Sequence, residues 1–87
     1  MNNDNTTMFD LHKDMTCEIK DALSLTFEAL KEKGYDPISQ IVGYIMSGDP
    51  IYITSHNGAR SAISKIDREE ILEVVFEEYL KNVAKEK

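Results

Sequence analysis

The chain has 87 residues, 41% of them hydrophobic and 30% charged, and its formal net charge is −6. A chain of this length forms one domain at most and buries only about 60–65% of the surface that its unfolded form exposes, so association with another copy would help its small core. The composition is that of a folded protein. Because nucleic acids and anionic membranes bind basic surfaces, the acidic charge disfavours both as main partners.

Cellular location can be inferred from cysteine use and from the first residues. Cys17 is the only cysteine, so no disulfide can form within the chain. The start has neither the basic nor the apolar region of a secretory signal, and no apolar run approaches the roughly 18 to 20 residues of a membrane span. We therefore expect a cytoplasmic protein.

Residues 1–13 are rich in Asn, Asp and Thr and show neither a helical nor a strand period. We predict a flexible N-terminal tail for residues 1–13 and a single helical domain for residues 14–87. Thr6 and Thr7 lie in this tail, where a kinase could thread them into its active site. Most tail threonines, however, are never modified.

The first helix is predicted from an N-cap at Asp14 or Thr16 to Lys33, with Gly34 closing it. One apolar stripe at helical spacing indicates its buried face. The stripe consists of Ile19, Leu23, Thr26, Phe27 and Leu30.

The second helix is predicted from Pro37 to about Ser47, after Asp36 and before Gly48. Its apolar residues match one helical face without a miss. They are Ile38, Ile41, Val42, Ile45 and Met46. Gly43 lies off that face and costs up to about 1 kcal/mol relative to alanine, so we predict that another backbone approaches it, from this chain or from a second copy.

Residues 51–54 are β-branched and aromatic, which predicts a short extended segment. A single such segment must pack on the helices or pair with its copy across a dimer axis. We therefore predict a dimer interface that joins the second helix to this segment. Its residues are Ile41, Gly43, Tyr44, Ile45, Ile51, Tyr52 and Ile53.

A short third helix is predicted with Asn57 as its N-cap, and three basic residues, Arg60, Lys65 and Arg68, follow. In an acidic protein this basic island is a candidate anion or phosphate site. The alternative is a solvated face that balances neighbouring carboxylates.

Asp67 is the predicted N-cap of the last helix. The helix carries a wide apolar face, formed by Ile71, Leu72, Val75, Phe76, Tyr79, Leu80 and Val83. The fold class that follows is mainly all-α: a small compact bundle of about four helices with one short extended segment.

No catalytic or metal pattern is found. His12 and His56 are far apart, and neither has a partner at metal-ligand spacing. Gly43 and Gly48 lack the Lys-Ser/Thr that a phosphate loop requires, and no nucleophile elbow occurs. We expect no enzyme activity, no cofactor and no metal.

The most specific segments of the chain are Lys33–Tyr44, Ser47–Pro50, Ala59-Arg60, Arg68-x-Glu70-Ile71 and Tyr79-Leu80. They closely resemble the IreB family of small cytoplasmic regulatory proteins from Gram-positive bacteria. The resemblance implies a helical homodimer with a flexible tail, phosphorylated on threonine by a transmembrane Ser/Thr kinase with extracellular PASTA repeats. It also implies a pathway of cell-envelope stress and cephalosporin resistance, with a downstream protein partner that is unknown.

The family's tail pattern, Asp-x-Thr-x-x-Phe, is met by Asp4, Thr6 and Phe9, so the resemblance makes Thr6 the phosphoacceptor. Thr7 is a second candidate by adjacency only. Two other interpretations stay open. The basic segment Ala59–Arg68 would suit a nucleic-acid-associated accessory factor, and the dimer could be a constitutive scaffold whose tail is never modified.

Overall fold

The computed structural model describes the backbone of residues 2–86 and the side chains of residues 15–84. Its helices are α1 (Asn2–Glu32), α2 (Pro37–Ser47), α3 (Ala59–Ser64) and α4 (Arg68–Glu86), with 3-10 turns at Pro50–Tyr52 and His56–Gly58. The described backbone contains no strand. This confirms the prediction of a mainly all-α fold of about four helices. None of these helices is long and apolar enough to cross a membrane.

The core lies around α1, which contacts α2, α3 and α4. Its fully buried large side chains come from different elements, with Leu30 on α1, Ile63 on α3, Ile71 on α4 and Ile53 after the first 3-10 turn. Such residues exclude water from the centre of the fold and supply most of its hydrophobic stabilisation.

The backbone of α1 is helical from Asn2, so the helix begins earlier than the predicted N-cap at Asp14 or Thr16. The side chains of residues 1–14 lie outside the described residues, and the flexible tail stays a prediction. The predicted end is confirmed by Gly34, which has a φ of +85°. Phe27 of the predicted stripe is 37% exposed, with Lys31 Nζ 5.4 Å from its ring centre.

The buried face of α2 differs from the predicted one. Tyr44 is buried in the core. Ile38, Val42 and Met46 are 65%, 51% and 78% exposed. Because α2 carries no charged residue that would mark its solvent-facing side, its hydrophobic periodicity alone does not predict which side faces the core. The helix ends as predicted at Gly48, which is left-handed (φ 76°) and donates its N–H to Tyr44 O at 2.7 Å.

The predicted extended segment 51–54 is wrong except near Ile53, which has φ −110° and ψ 128°. Pro50–Tyr52 form a 3-10 turn instead. Pro50 presets the φ of the first turn position, and Asp49 Oδ1 accepts the N–H of Ile51 at 3.1 Å. These local contacts outweigh the β-propensity of the side chains.

The starts of α3 and α4 depend on loop residues. Asn57 is not the N-cap of α3: that position is taken by Gly58, and Asn57 itself is left-handed with a φ of 56°. Asn57 Nδ2 lies 3.5 Å from Glu32 Oε1 on α1. The prediction for Asp67 is confirmed, because its Oδ1 accepts the N–H of Glu69 at 2.9 Å.

Candidate functional site

The end of α2 and the start of α4 are joined by a contact of Arg68. Arg68 Nη1 donates to Ile45 O at 2.7 Å. The guanidinium lies so close to Gly48 that a Cβ there would be 2.8 Å from Arg68 Cζ. The carbonyls at a helix C-terminus carry partial negative charge, so a cation stabilises this end of α2.

The other basic residues have different surroundings. Arg60 Nε donates to Ile53 O at 2.8 Å. Lys65 lines a cleft between α1 and α3 together with Glu18 and Asp21. Arg60 and Arg68 thus each use a donor inside the chain, at separate carbonyls, while Lys65 lies beside carboxylates. A guanidinium has further N–H donors, and the anion site at these three residues stays a prediction.

The predicted close approach at Gly43 has a different origin. A Cβ there would lie 2.6 Å from Cδ1 of the Tyr52 ring. The neighbour is therefore a side chain of the same chain, and the prediction of a backbone is wrong. Gln40 Nε2 donates to Tyr52 O at 2.9 Å and holds the turn against α2.

This packing changes the status of the predicted dimer interface. Tyr44 and Ile53 are 5% and 0% exposed within one chain, so they offer no surface to a second copy. Ile41 and Ile45 are half-buried against the core. Ile51, at 74% exposure, stays a predicted interface residue, as does Tyr52.

A second exposed region lies on the last helix, for which the sequence predicted a wide apolar face. Among the side chains of α4 that the structure describes, residues 68–84, only Ile71 and Val74 are buried. We call the exposed apolar residues the outer face of α4: Leu72, Val75, Phe76, Tyr79 and Leu80, which are 39–63% exposed. The number of apolar residues on this helix was the signal in the sequence, because one core cannot cover so wide a face.

Some titratable side chains contact one another at the protein surface. Lys20 Nζ lies 2.6 Å from Glu78 Oε2. This hydrogen bond, then the charge attraction, raises the pKa of Lys20 and lowers the pKa of Glu78. His56 Nε2 lies 2.7 Å from Glu32 Oε1. Among the described residues no group of His, Cys, Asp and Glu could hold a metal ion.

The phosphoacceptor candidates Thr6 and Thr7 lie outside the described side chains, so their role stays a prediction. Comparison with known proteins covers this part of the chain. A family model described as the IreB regulatory phosphoprotein matches residues 4–81. The chain belongs to the IreB family. The IreB match includes both threonines and every residue that is buried among the described side chains.

Relatives of the same kind span nearly the whole chain. A UPF0297 protein of Acetivibrio thermocellus is 52% identical over 80 residues, which cover 92% of this chain and 89% of the relative. A UPF0297 protein of Lachnoclostridium phytofermentans is 51% identical over 78 residues, covering 90% of this chain and 89% of the relative. Membership of the IreB family indicates a regulatory role for this chain.

Proposed function

We propose that this chain is a non-catalytic regulatory protein, phosphorylated on Thr6 by a PASTA-type Ser/Thr kinase in the cytoplasm. Its pathway is cell-envelope stress and cephalosporin-resistance signalling. The observation that carries the proposal is the match to a regulatory phosphoprotein family over residues 4–81, which includes the tail pattern of Asp4, Thr6 and Phe9. The folded domain then docks the downstream protein.

Phosphorylation acts through charge. A phosphate adds about −1.5 to −2 charge and three strong acceptor oxygens. In a chain of net charge −6, this either repels an acidic partner or recruits cations. We place the phosphate of Thr6 near Arg60, Lys65 and Arg68, since each arginine keeps N–H donors beyond the one it gives to a backbone carbonyl.

Intact-mass analysis after incubation with the cognate kinase and ATP tests the phosphoacceptor. We expect the wild type and Thr7→Ala to gain one phosphate and Thr6→Ala to gain none. A wild type that stays unmodified, while a known substrate is phosphorylated alongside it, contradicts the proposal. The constitutive scaffold would then be the better interpretation.

Amide NMR spectra of the phosphorylated chain test the contact with the basic residues. We expect shifts at Arg60, Lys65 and Arg68 that are absent in Thr6→Ala treated in the same way. Unchanged shifts at all three residues would rule out the contact and leave the phosphoacceptor itself unaffected.

We further propose that two copies pair through the outer face of α4. Its five large apolar residues form a larger exposed surface than Ile51 and Tyr52 of the predicted interface. Phe27 on α1 is exposed too. Burial of such surface stabilises association by about 25 cal/mol per Å² before the costs of association, and a small domain gains most from it.

A further inference from the structure

A row of clefts lies where α4 and α3 pack against α1, from Met15 onward. It consists of four adjoining clefts, of about 410, 140, 110 and 220 Å³. Consecutive clefts share lining residues: Val74 joins the first two, Ile19 the next two, and Ile66 the last two. The clefts adjoin one another at these residues, and we call the four together the acidic trench. It passes from α4, across α1, to α3.

The floor of the acidic trench is apolar. Ile19 and Val74, at 4% and 7% exposure, form its bottom, and Met15 is 43% exposed. Beyond them, Phe76 borders the α4 end and Ile66 the α3 end. Because Ile19 and Val74 are nearly fully buried, the apolar surface that a bound segment could reach comes from Met15, Phe76 and Ile66 at the edges of the floor.

The walls of the trench are acidic. Its carboxylates are Glu18, Asp21, Glu70, Glu73 and Glu77, and its one cation is Lys65. The ion pairs among residues 15–84 join Lys20 and Lys81 to Glu78 and His56 to Glu32, so they take none of the five wall carboxylates. Adjacent carboxylates along an apolar floor create a negative potential that a cationic segment would relieve.

This chemistry excludes several occupants. A nucleic acid or an anionic lipid surface would bring phosphates against carboxylates. A second copy would bring a net charge of −6 to these carboxylates, and its Lys20 is already paired with Glu78. We propose that the acidic trench binds a basic amphipathic segment of a partner protein, with its cations on the carboxylates and its apolar side chains on the floor.

The test uses the full chain and a short labelled helical peptide of Lys and Leu, with binding followed by fluorescence anisotropy. Glu70→Gln/Glu73→Gln removes two wall charges. Glu28→Gln/Glu69→Gln is the matched control, since it removes the same charge outside the trench, and Glu69 shares the first turn of α4 with Glu70. We expect the trench pair to raise Kd about fivefold and the control pair less than about twofold.

Equal weakening by both pairs would overturn the proposal, because it would mean attraction to net charge alone. Equally tight binding of a Lys and Ser peptide would overturn it too, since the floor would then contribute nothing. Circular dichroism checks that the variants fold.

A measurement on the wild type does not depend on the variants. Titration with the Lys and Leu peptide should shift the amide NMR signals of Met15, Ile19 and Val74, and shifts confined to other surfaces would contradict the assignment. A change of oligomeric mass in Glu70→Gln/Glu73→Gln would also contradict it, because the trench would then be a contact between copies.

Discussion

The end of α2 and the outer face of α4 use their side chains in opposite ways. At the end of α2, the Tyr52 ring packs against Gly43, Gly48 ends the helix, and Arg68 donates a hydrogen bond to the Ile45 carbonyl. On α4, large apolar residues face away from the core of their own chain. The most distinctive residues of the sequence thus serve folding, whereas a plain helical pattern supplies the surface available to a partner.

The difference follows from how many contacts each kind of side chain needs in a chain of only 87 residues. A guanidinium and a glycine act through local geometry, and one contact is enough for each. Apolar side chains on a long helix need area, and a chain this short has too few other residues to cover them. We therefore expect substitutions at the end of α2 to change stability and substitutions on the outer face of α4 to change association.

The largest expected effect is a difference in stability between substitutions on the buried side and on the exposed side of α4. Ile71→Ala removes a fully buried side chain and should lower the free energy of unfolding by about 3 kcal/mol, through lost transfer energy and a cavity. Leu80→Ala, at a residue 55% exposed, should cost less than about 0.5 kcal/mol at concentrations where the chain is monomeric. Urea denaturation measures both, and equal losses would mean that α4 is not divided in this way.

Next comes the packing at Gly43. Gly43→Ala places a Cβ 2.6 Å from the Tyr52 ring and should destabilise the fold by about 1–2 kcal/mol. In a Tyr52→Ala background the same substitution should instead stabilise α2 by about 0.5–1 kcal/mol, because alanine is the better helix former. A double-mutant cycle from thermal unfolding tests this, and additive effects would show that the ring does not constrain Gly43.

A smaller effect is expected at Arg68. Arg68→Met removes the hydrogen bond to Ile45 O and should cost about 1 kcal/mol, less than the roughly 1.5–3 kcal/mol typical of a charged donor because the residue is exposed. Lys65→Met removes the same charge without such a bond and should change stability by less than about 0.5 kcal/mol. If the two variants lost equal stability in urea, charge rather than the bond to α2 would be responsible.

The smallest effect concerns Lys20 and Glu78, which join α1 to α4 at the surface. The pKa of Glu78 is lowered, so its contribution is present above the unfolded-state pKa and is lost as pH falls through the folded-state value. The pKa of Lys20 is raised, so its contribution is lost as pH rises through that raised pKa. We expect Lys20→Gln to show a flatter profile of stability against pH at both edges. Identical profiles for variant and wild type would contradict the pairing.

Local signals in the sequence predicted much of the fold. Gly34, Gly48 and Asp67 end or begin helices as expected, because a cap depends on a few neighbouring residues. The rotation of α2 and the turn at Pro50–Tyr52 were missed. The rotation depends on contacts that a local pattern does not contain, including the Tyr52 ring on Gly43. The turn had a local signal in Asp49 and Pro50, which the β-propensity of the following residues obscured.

The candidate sites divide in the same way. A tail motif and a family signature can be read residue by residue, so Thr6 could be proposed from sequence alone. The exposure of individual residues could not, since Tyr44 turned out buried. The number of apolar residues on α4 indicated an exposed face without showing which residues form it. The acidic trench was missed as well, because it combines residues of α1, α3 and α4.

Sedimentation equilibrium over a range of concentrations tests most directly whether the outer face of α4 pairs two copies. We expect the wild type to approach twice the 9.9 kDa mass of one chain, Phe76→Ser/Tyr79→Ser to stay near a single mass, and the control Ile51→Ser to behave as the wild type. A wild type of single mass throughout would contradict the account. So would dissociation by Ile51→Ser with no effect of the α4 substitutions, since the contact would then lie beside α2.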